Sequence, residues 1–172
     1  MKNDTRNIIL FGFMGTGKSS AGRVIADRLE RELVEMDAII EEREGKTINH
    51  IFVSEGEPYF RALERGLVEE LSARNSLVVS TGGGVVLNPA NIEDFRRSGV
   101  LFSLMAKPET VYERTKRETH RPLLATADPM KRIVELMEPR RPLYDKADHI
   151  IHTDNKSVEE VAEEILKIFS KA

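Results

Sequence analysis

Near its start the chain reads Gly12-Phe13-Met14-Gly15-Thr16-Gly17-Lys18-Ser19, and no other feature constrains it as much. The run matches G-x-x-x-x-G-K-[ST], the pattern of a phosphate-binding loop, or P-loop. It lies between an apolar run, Asn7–Phe11, and a stretch of helical period, Ser19–Arg31, and this is the setting the motif needs. Glycines let the backbone curl so that N–H groups point inward at phosphate oxygens. The helix that follows adds its positive N-terminal end. Lys18 reaches the β- and γ-phosphates, and the Ser19 hydroxyl is a ligand for Mg²⁺. The expected nucleotide-binding residues here are Gly12, Met14, Gly15, Thr16, Gly17, Lys18, Ser19 and Ser20. By itself the motif does not separate a kinase from an ATPase, a GTPase or a regulatory nucleotide-binding module.

The rest of the chain supports an α/β layered domain. Short apolar runs read as strands at Asn7–Phe11, Leu33–Glu35, Ser76–Ser80, Val100–Met105 and His149–His152. Between them lie helical segments at Ser19–Arg31, Ala38–Glu44, Gly56–Arg74, Asn88–Arg97, Pro108–Arg117, Pro129–Ala147 and Val158–Phe169. In Gly56–Arg74 the residues Phe60, Leu63, Leu67 and Leu71 recur at spacings of three and four, an amphipathic stripe. Asp128 and Ser157 read as helix starts, and Pro58 suits a first turn. Strands alternating with helices imply parallel βαβ units. A length of 172 residues fits one domain, 1–172, with neither repeat nor linker. The polar stretch Glu118–Asp128 reads as a long loop, and such loops in compact domains are usually functional or disordered.

Composition excludes several classes. With Lys+Arg 26 and Asp+Glu 29 the net charge is −3, which argues against nucleic-acid binding. Without cysteine there is no thiolate nucleophile, disulfide or Cys-ligated zinc, and a reducing cytoplasm is compatible with this. The longest apolar run, Ile8–Met14, is interrupted by Gly12 and too short to span a bilayer. Met1–Arg6 lacks the layout of a signal peptide.

Other candidates carry two readings each. Glu35 and Asp37 lie two apart at a strand end and so share a face, where one can serve the metal through water and the other an accepting hydroxyl. Alternatively, Asp37 caps the helix Ala38–Glu44. Arg61 is either a ligand for an anion or one half of a surface ion pair with Glu64. Gly82-Gly83-Gly84 after a strand gives either bare backbone for a ligand or a tight turn. Arg121 is a phosphate-reaching residue on a loop or a solvated one, and Arg140 a ligand or a helix-terminal charge. His149 and His152 face opposite sides of a strand, so they are not a metal pair; His50 and His120 stand alone.

Taken together and in this order, these pieces resemble the shikimate kinase family. The resemblance runs from Ile8 to about Ile168. It is carried by Gly12–Ser19, Asp37, Ile51-Phe52, Gly56-Glu57, Phe60-Arg61, Glu64, Gly82-Gly83-Gly84, Arg121-Pro122-Leu123-Leu124 and Arg140 in Arg-x-Pro-Leu-Tyr. It implies a three-layer P-loop kinase fold with a five-stranded parallel sheet in the order 2-3-1-4-5. It also implies a substrate-binding helical segment at about 38–67 and a lid at about 117–128. The implied reaction is ATP-dependent phosphorylation of the 3-hydroxyl of shikimate with Mg²⁺, by a cytoplasmic monomer. Lys18, Asp37 and Arg121 would be catalytic. The substrate would meet Asp37, Arg61, Gly82, Gly83, Gly84 and Arg140. Arg114 would stack on the adenine, with Arg121 and Lys156 also near the nucleotide. Ser19 would hold the metal, and Glu35 would reach it through water. Glu35-Met36-Asp37 departs from the family's usual Asp-x-Asp, lengthening the first carboxylate by a methylene. The alternatives are a related kinase for another polyol acid such as gluconate, or a non-catalytic nucleotide-binding module.

Overall fold

The structure is a computed structural model that describes residues 4–118 and 125–172. Five parallel strands form one sheet in the order β2-β3-β1-β4-β5. They are β1 (Asn7–Phe11), β2 (Glu32–Glu35), β3 (Leu77–Ser80), β4 (Gly99–Met105) and β5 (His149–His152). This is the expected strand order. Each connection carries at least one helix. The helices are α1 (Lys18–Leu29), α2 (Met36–Glu44), α3 (Ile48–Glu55), α4 (Glu57–Ser72), α5 (Pro89–Ser98), α6 (Pro108–Thr115), α7 (Pro129–Met137), α8 (Arg141–Tyr144) and α9 (Val158–Phe169).

Side chains alternate across each strand, so β1 divides between two cores. Ile8 and Leu10 pack with Ala21, Ile25, Ile165 and Phe169, beneath α1 and α9. Ile9 and Phe11 pack with Leu67, Leu71, Ile92 and Phe95, beneath α4 and α5. Helices on both faces explain why every residue of β1 and β3 is buried and why the runs read as continuously apolar. Asn7 and Ser80 are the buried polar residues of these two strands, and Asn7 is satisfied. Its side chain donates to Arg74 O at 2.8 Å and accepts from Leu77 N at 2.9 Å, which pins β1 against the start of β3.

Local signals set most helix ends. Ser157 and Glu160 form a reciprocal capping box at α9. Asp128 accepts from Lys131 N at 3.0 Å at the start of α7. Two expectations are corrected. Asp37 does not cap α2, which starts at Met36, so Asp37 lies within its first turn. The segment Pro129–Ala147 is not one helix. α7 ends at Met137, a 3₁₀ turn covers Glu138–Arg140, and α8 follows. Pro139 and Pro142 each lack an N–H and clash with a preceding turn, so an unbroken helix is costly there. Arg140 sits on this break.

Candidate active site

All five strands end on one side, and ligands of open α/β sheets bind in the crevice beyond the carboxyl ends. A cavity of about 650 Å³ occupies that place. Met14, Gly15, Gly17, Lys18, Ser19 and Ser20 line one side of it, and Glu35, Asp37, Gly82 and Gly83 the other, with Arg114 at its edge. Residues from the segments 14–20, 35–37 and 82–83, far apart in sequence, therefore share one space.

The phosphate loop is tightly wound. Gly12 has φ 144°, and a Cβ there would lie 2.4 Å from Leu104 O, so only glycine fits. Gly17, with φ 95°, leads into α1. Thr16 is buried and its hydroxyl donates to Phe13 O at 2.7 Å, holding the loop from inside. Lys18 Nζ lies 2.8 Å from Gly12 O and 3.0 Å from Phe13 O, folded across its own loop where phosphate oxygens would lie.

Ser19 Oγ is 3.3 Å from Ser80 Oγ, and Ser80 is the register partner of Glu35 across β2 and β3. Two hydroxyls and the Glu35 carboxylate thus approach the cavity together. Hard oxygen donors of this kind suit Mg²⁺, which keeps most of its water and takes few protein ligands. Among the described residues no group of three or more His, Cys, Asp or Glu is placed to hold a metal ion. Ser80 ends a strand whose sequence reads simply as apolar, so its place beside Ser19 follows from strand order alone.

The glycine turn is the meeting point of the other half. A Cβ on Gly82 would lie 2.8 Å from Asp37 Oδ1 and 3.3 Å from Glu64 Oε2. On Gly83 it would lie 3.6 Å from Arg140 Nη1, and on Gly84 2.3 Å from Arg61 Nη2. Missing side chains at Gly82 and Gly84 therefore let Asp37, Glu64 and Arg61 close on one stretch of backbone, while at Gly83 a Cβ would make ordinary contact with Arg140. Tyr144, buried at the end of α8, donates its hydroxyl to Gly83 O at 2.6 Å and fixes the turn. Burial pushes the Tyr144 hydroxyl pKa up, with Arg140 and Arg61 opposing, so it stays a donor.

Arg61 does pair with Glu64, at 2.8 Å, but this is no surface pair: Glu64 is 2% exposed. Burial pushes the Glu64 carboxyl above its ordinary range, Arg61 pulls it back, and Asp37 adds to the rise. Arg61 also reaches Glu57 at 3.3 Å and borders a second hollow of about 330 Å³ with Pro58 and Leu87.

Arg114, on α6, donates to Gly15 O at 3.1 Å and to Thr153 Oγ1 at 3.0 Å. A third cavity of about 250 Å³ beside the phosphate loop is lined by Gly17, Ser20, Arg114, Thr153 and Lys156. Lys156 borders it and pairs with Glu164 at 2.5 Å. Arg121, and the part of the expected lid from 119 to 124, lie outside the described residues. Among the described residues no helix is long and apolar enough to cross a membrane.

Comparison with known proteins agrees with this geometry. The family model described as shikimate kinase matches residues 14–170. The chain is 44% identical over 166 residues to a shikimate kinase of Caldanaerobacter subterraneus subsp. tengcongensis, covering 96% of this chain and 97% of that one. It is 47% identical over 163 residues to a shikimate kinase of Geobacter metallireducens, covering 95% and 91%. Among solved structures, shikimate kinase from Acinetobacter baumannii in complex with shikimate superposes with a TM-score of 0.91 at 36% identity, covering 97% of this chain and 94% of that one. A gluconokinase from Sinorhizobium meliloti 1021 reaches 0.62 at 20% identity, covering 97% and 93%, a likeness of fold alone. The family model spans most of the chain and the relatives match it over nearly its whole length, on a structure that brings the phosphate loop, Glu35, Asp37, Gly82 and Gly83 into one crevice: the chain belongs to the shikimate kinase family.

Proposed function

We propose that the chain moves the γ-phosphoryl group of ATP onto the 3-hydroxyl of shikimate, giving shikimate 3-phosphate and ADP. The observation that carries this is the one cavity lined by Lys18 and Ser19 and by Asp37, Gly82 and Gly83. A phosphate donor and a hydroxyl acceptor placed there meet end to end.

Phosphoryl transfer has a loose transition state, so positioning and charge neutralisation carry most of the catalysis. Lys18 leaves its loop carbonyls and takes the β- and γ-phosphates. Asp37 accepts a hydrogen bond from the attacking hydroxyl and aligns it. Arg61 and Arg140 hold the substrate carboxylate, for which planar guanidiniums are suited. Gly82 and Gly83 line the cavity and, with no side chain of their own, let a ligand approach their backbone closely; Gly84 lies against the Arg61 guanidinium. Arg114 and Lys156 border the base and ribose, and the family resemblance assigns Arg121 to the phosphates. Ser19 and, through water, Glu35 and Ser80 would hold Mg²⁺. Held by these residues, Mg²⁺ would supply charge neutralisation at the phosphates.

An assay for ADP release, with shikimate, gluconate and other hydroxy acids offered in turn, tests the reading. Turnover should require shikimate and stop in excess EDTA. A preference for gluconate would reassign the acceptor. Tight ATP binding without transfer to any acceptor would make the chain a binding module.

A further inference from the structure

Thr153 follows β5 directly and is only 1% exposed. Its N–H donates to Met105 O at 2.8 Å, and its hydroxyl lies 3.3 Å from the same carbonyl, so it is fixed to the end of β4. Arg114 meets it twice. Nη1 donates to Thr153 Oγ1 at 3.0 Å, and Nη2 donates to Thr153 O at 2.9 Å. Nη1 carries two hydrogens, and the other goes to Gly15 O in the phosphate loop at 3.1 Å. One guanidinium thus joins the loop after β5 to the loop that cradles phosphate.

The next residue ties the same loop to the other end of α6. Asp154 Oδ1 accepts from Lys107 N at 2.9 Å and from the Thr110 hydroxyl at 2.5 Å. The stretch Thr153–Asp154 is therefore clamped at both ends of α6, and Arg114 projects from α6 with little freedom left. Thr153 and Arg114 both line the 250 Å³ cavity beside the phosphate loop.

We infer that Thr153 is the positioning residue of the nucleotide-base site: it aims the Arg114 guanidinium and, through it, ties the base shelf to the phosphate loop at Gly15. This rests on the assignment of Arg114 to the base made above. Thr153 supplies the only side-chain acceptor that Arg114 has among the described residues; its other two acceptors are backbone carbonyls. Valine keeps the shape and the carbonyl of residue 153 but removes that acceptor, so one Nη1 hydrogen is left facing a methyl group and the guanidinium turns to find another partner.

The test uses full-length protein and two probes, ADP and inorganic tripolyphosphate, which lacks base and ribose. No acceptor is involved, so the identity of the phosphorylated substrate does not enter. Thr153→Val should weaken ADP about tenfold, the worth of one hydrogen bond to a charged group, while tripolyphosphate is held as before. Thr153→Ser, which keeps the hydroxyl, should bind ADP as the parent does. In an Arg114→Ala background Thr153→Val should have no further effect. Thr153→Ala reports the same loss should valine not be tolerated. Equal weakening of both probes, or full additivity with Arg114→Ala, overturns the inference. An unchanged ADP affinity in Thr153→Val beside a weakened one in Arg114→Ala also overturns it. An unchanged affinity in Arg114→Ala itself removes the base assignment instead.

Discussion

Arg61 donates from Nη1 to Oε1 of Glu64, one turn further along α4, at 2.8 Å, while Glu64 Oε2 is buried with no hydrogen-bond partner among the described residues. One arginine is thus held by a carboxylate that water cannot reach. The pair has an exposed end and a buried end: the Arg61 side chain is 25% exposed and that of Glu64 only 2%. Desolvating the carboxylate is the cost, and a guanidinium held beside the glycine turn is the return.

Glu64→Gln should separate those two terms. The Glu64 carboxyl is raised in the folded state, so its contribution to stability is present below the ordinary carboxylate range. It is lost as pH rises through the folded value. Gln removes that loss, so Tm at neutral pH should increase, by roughly 2–4 °C for each kcal/mol regained. The KM for shikimate should rise, because Arg61 loses its charged anchor. A lower Tm at neutral pH would mean that the ion pair outweighs the burial.

Gly84→Ala attacks the same arginine from the other side. The new Cβ would fall 2.3 Å from Arg61 Nη2 and 2.5 Å from Nη1. The obstructing atoms are the far end of a flexible side chain, so the fold yields cheaply and the guanidinium moves. Shikimate KM should rise at least tenfold, one lost charge-assisted hydrogen bond, with ATP KM close to normal. Gly12→Ala is the contrast, since its Cβ meets the Leu104 carbonyl at 2.4 Å; there Tm should fall and ATP binding should fail. Steady-state kinetics and thermal melts on both variants check this.

Asp37→Asn keeps shape and removes charge. The kcat should fall by about 100-fold if Asp37 takes the acceptor proton in the transition state. A fall below about tenfold, worth ~1.4 kcal/mol, would mark Asp37 as an aligner only. Single-turnover measurement keeps product release from masking the difference.

Lys18→Ala should lower kcat by about 10²–10³, the usual cost of deleting one electrostatic stabiliser of the transition state. Shikimate binding, followed by calorimetry without nucleotide, should not change. Near-normal turnover would refute the role of Lys18.

Asp154 gives a prediction on pH. Burial pushes its carboxyl up, but hydrogen bonds from Thr110 and the Lys107 N–H prevail and hold it below the ordinary value of 3.8. Its stabilising contribution is therefore present above about 3.8 and lost as pH falls through the folded value. Asp154→Ala should lower Tm at neutral pH, and the gap from the parent should close in acid. A gap that persists at the lowest pH where both fold would place the effect elsewhere.

Much of this was legible beforehand because it is local. The phosphate loop is contiguous, and its glycines, Lys18 and Ser19 need no partner from elsewhere to be recognised. Strands and helices follow from periodicity, and caps such as Ser157 with Glu160 are complete within four residues. Arg61 and Glu64 were visible as neighbours on a helix, but nothing local says that Glu64 is buried. That depends on β3 lying between β2 and β1, which brings Gly82 against Asp37 and Glu64. The strand order itself came through the family resemblance, since periodicity does not say which strands pair. Ser80 beside Ser19 and Thr153 beside Arg114 were invisible for the same reason, each pair being joined across the sheet. The break at Pro139 and Pro142 is signalled locally, and it accompanies the placement of Arg140 and Tyr144 at Gly83. The sequence by itself therefore determined that the chain binds phosphate on an α/β sheet. Only the tertiary structure decided how its charges are held, because burial and cross-sheet contact are properties of the packed whole.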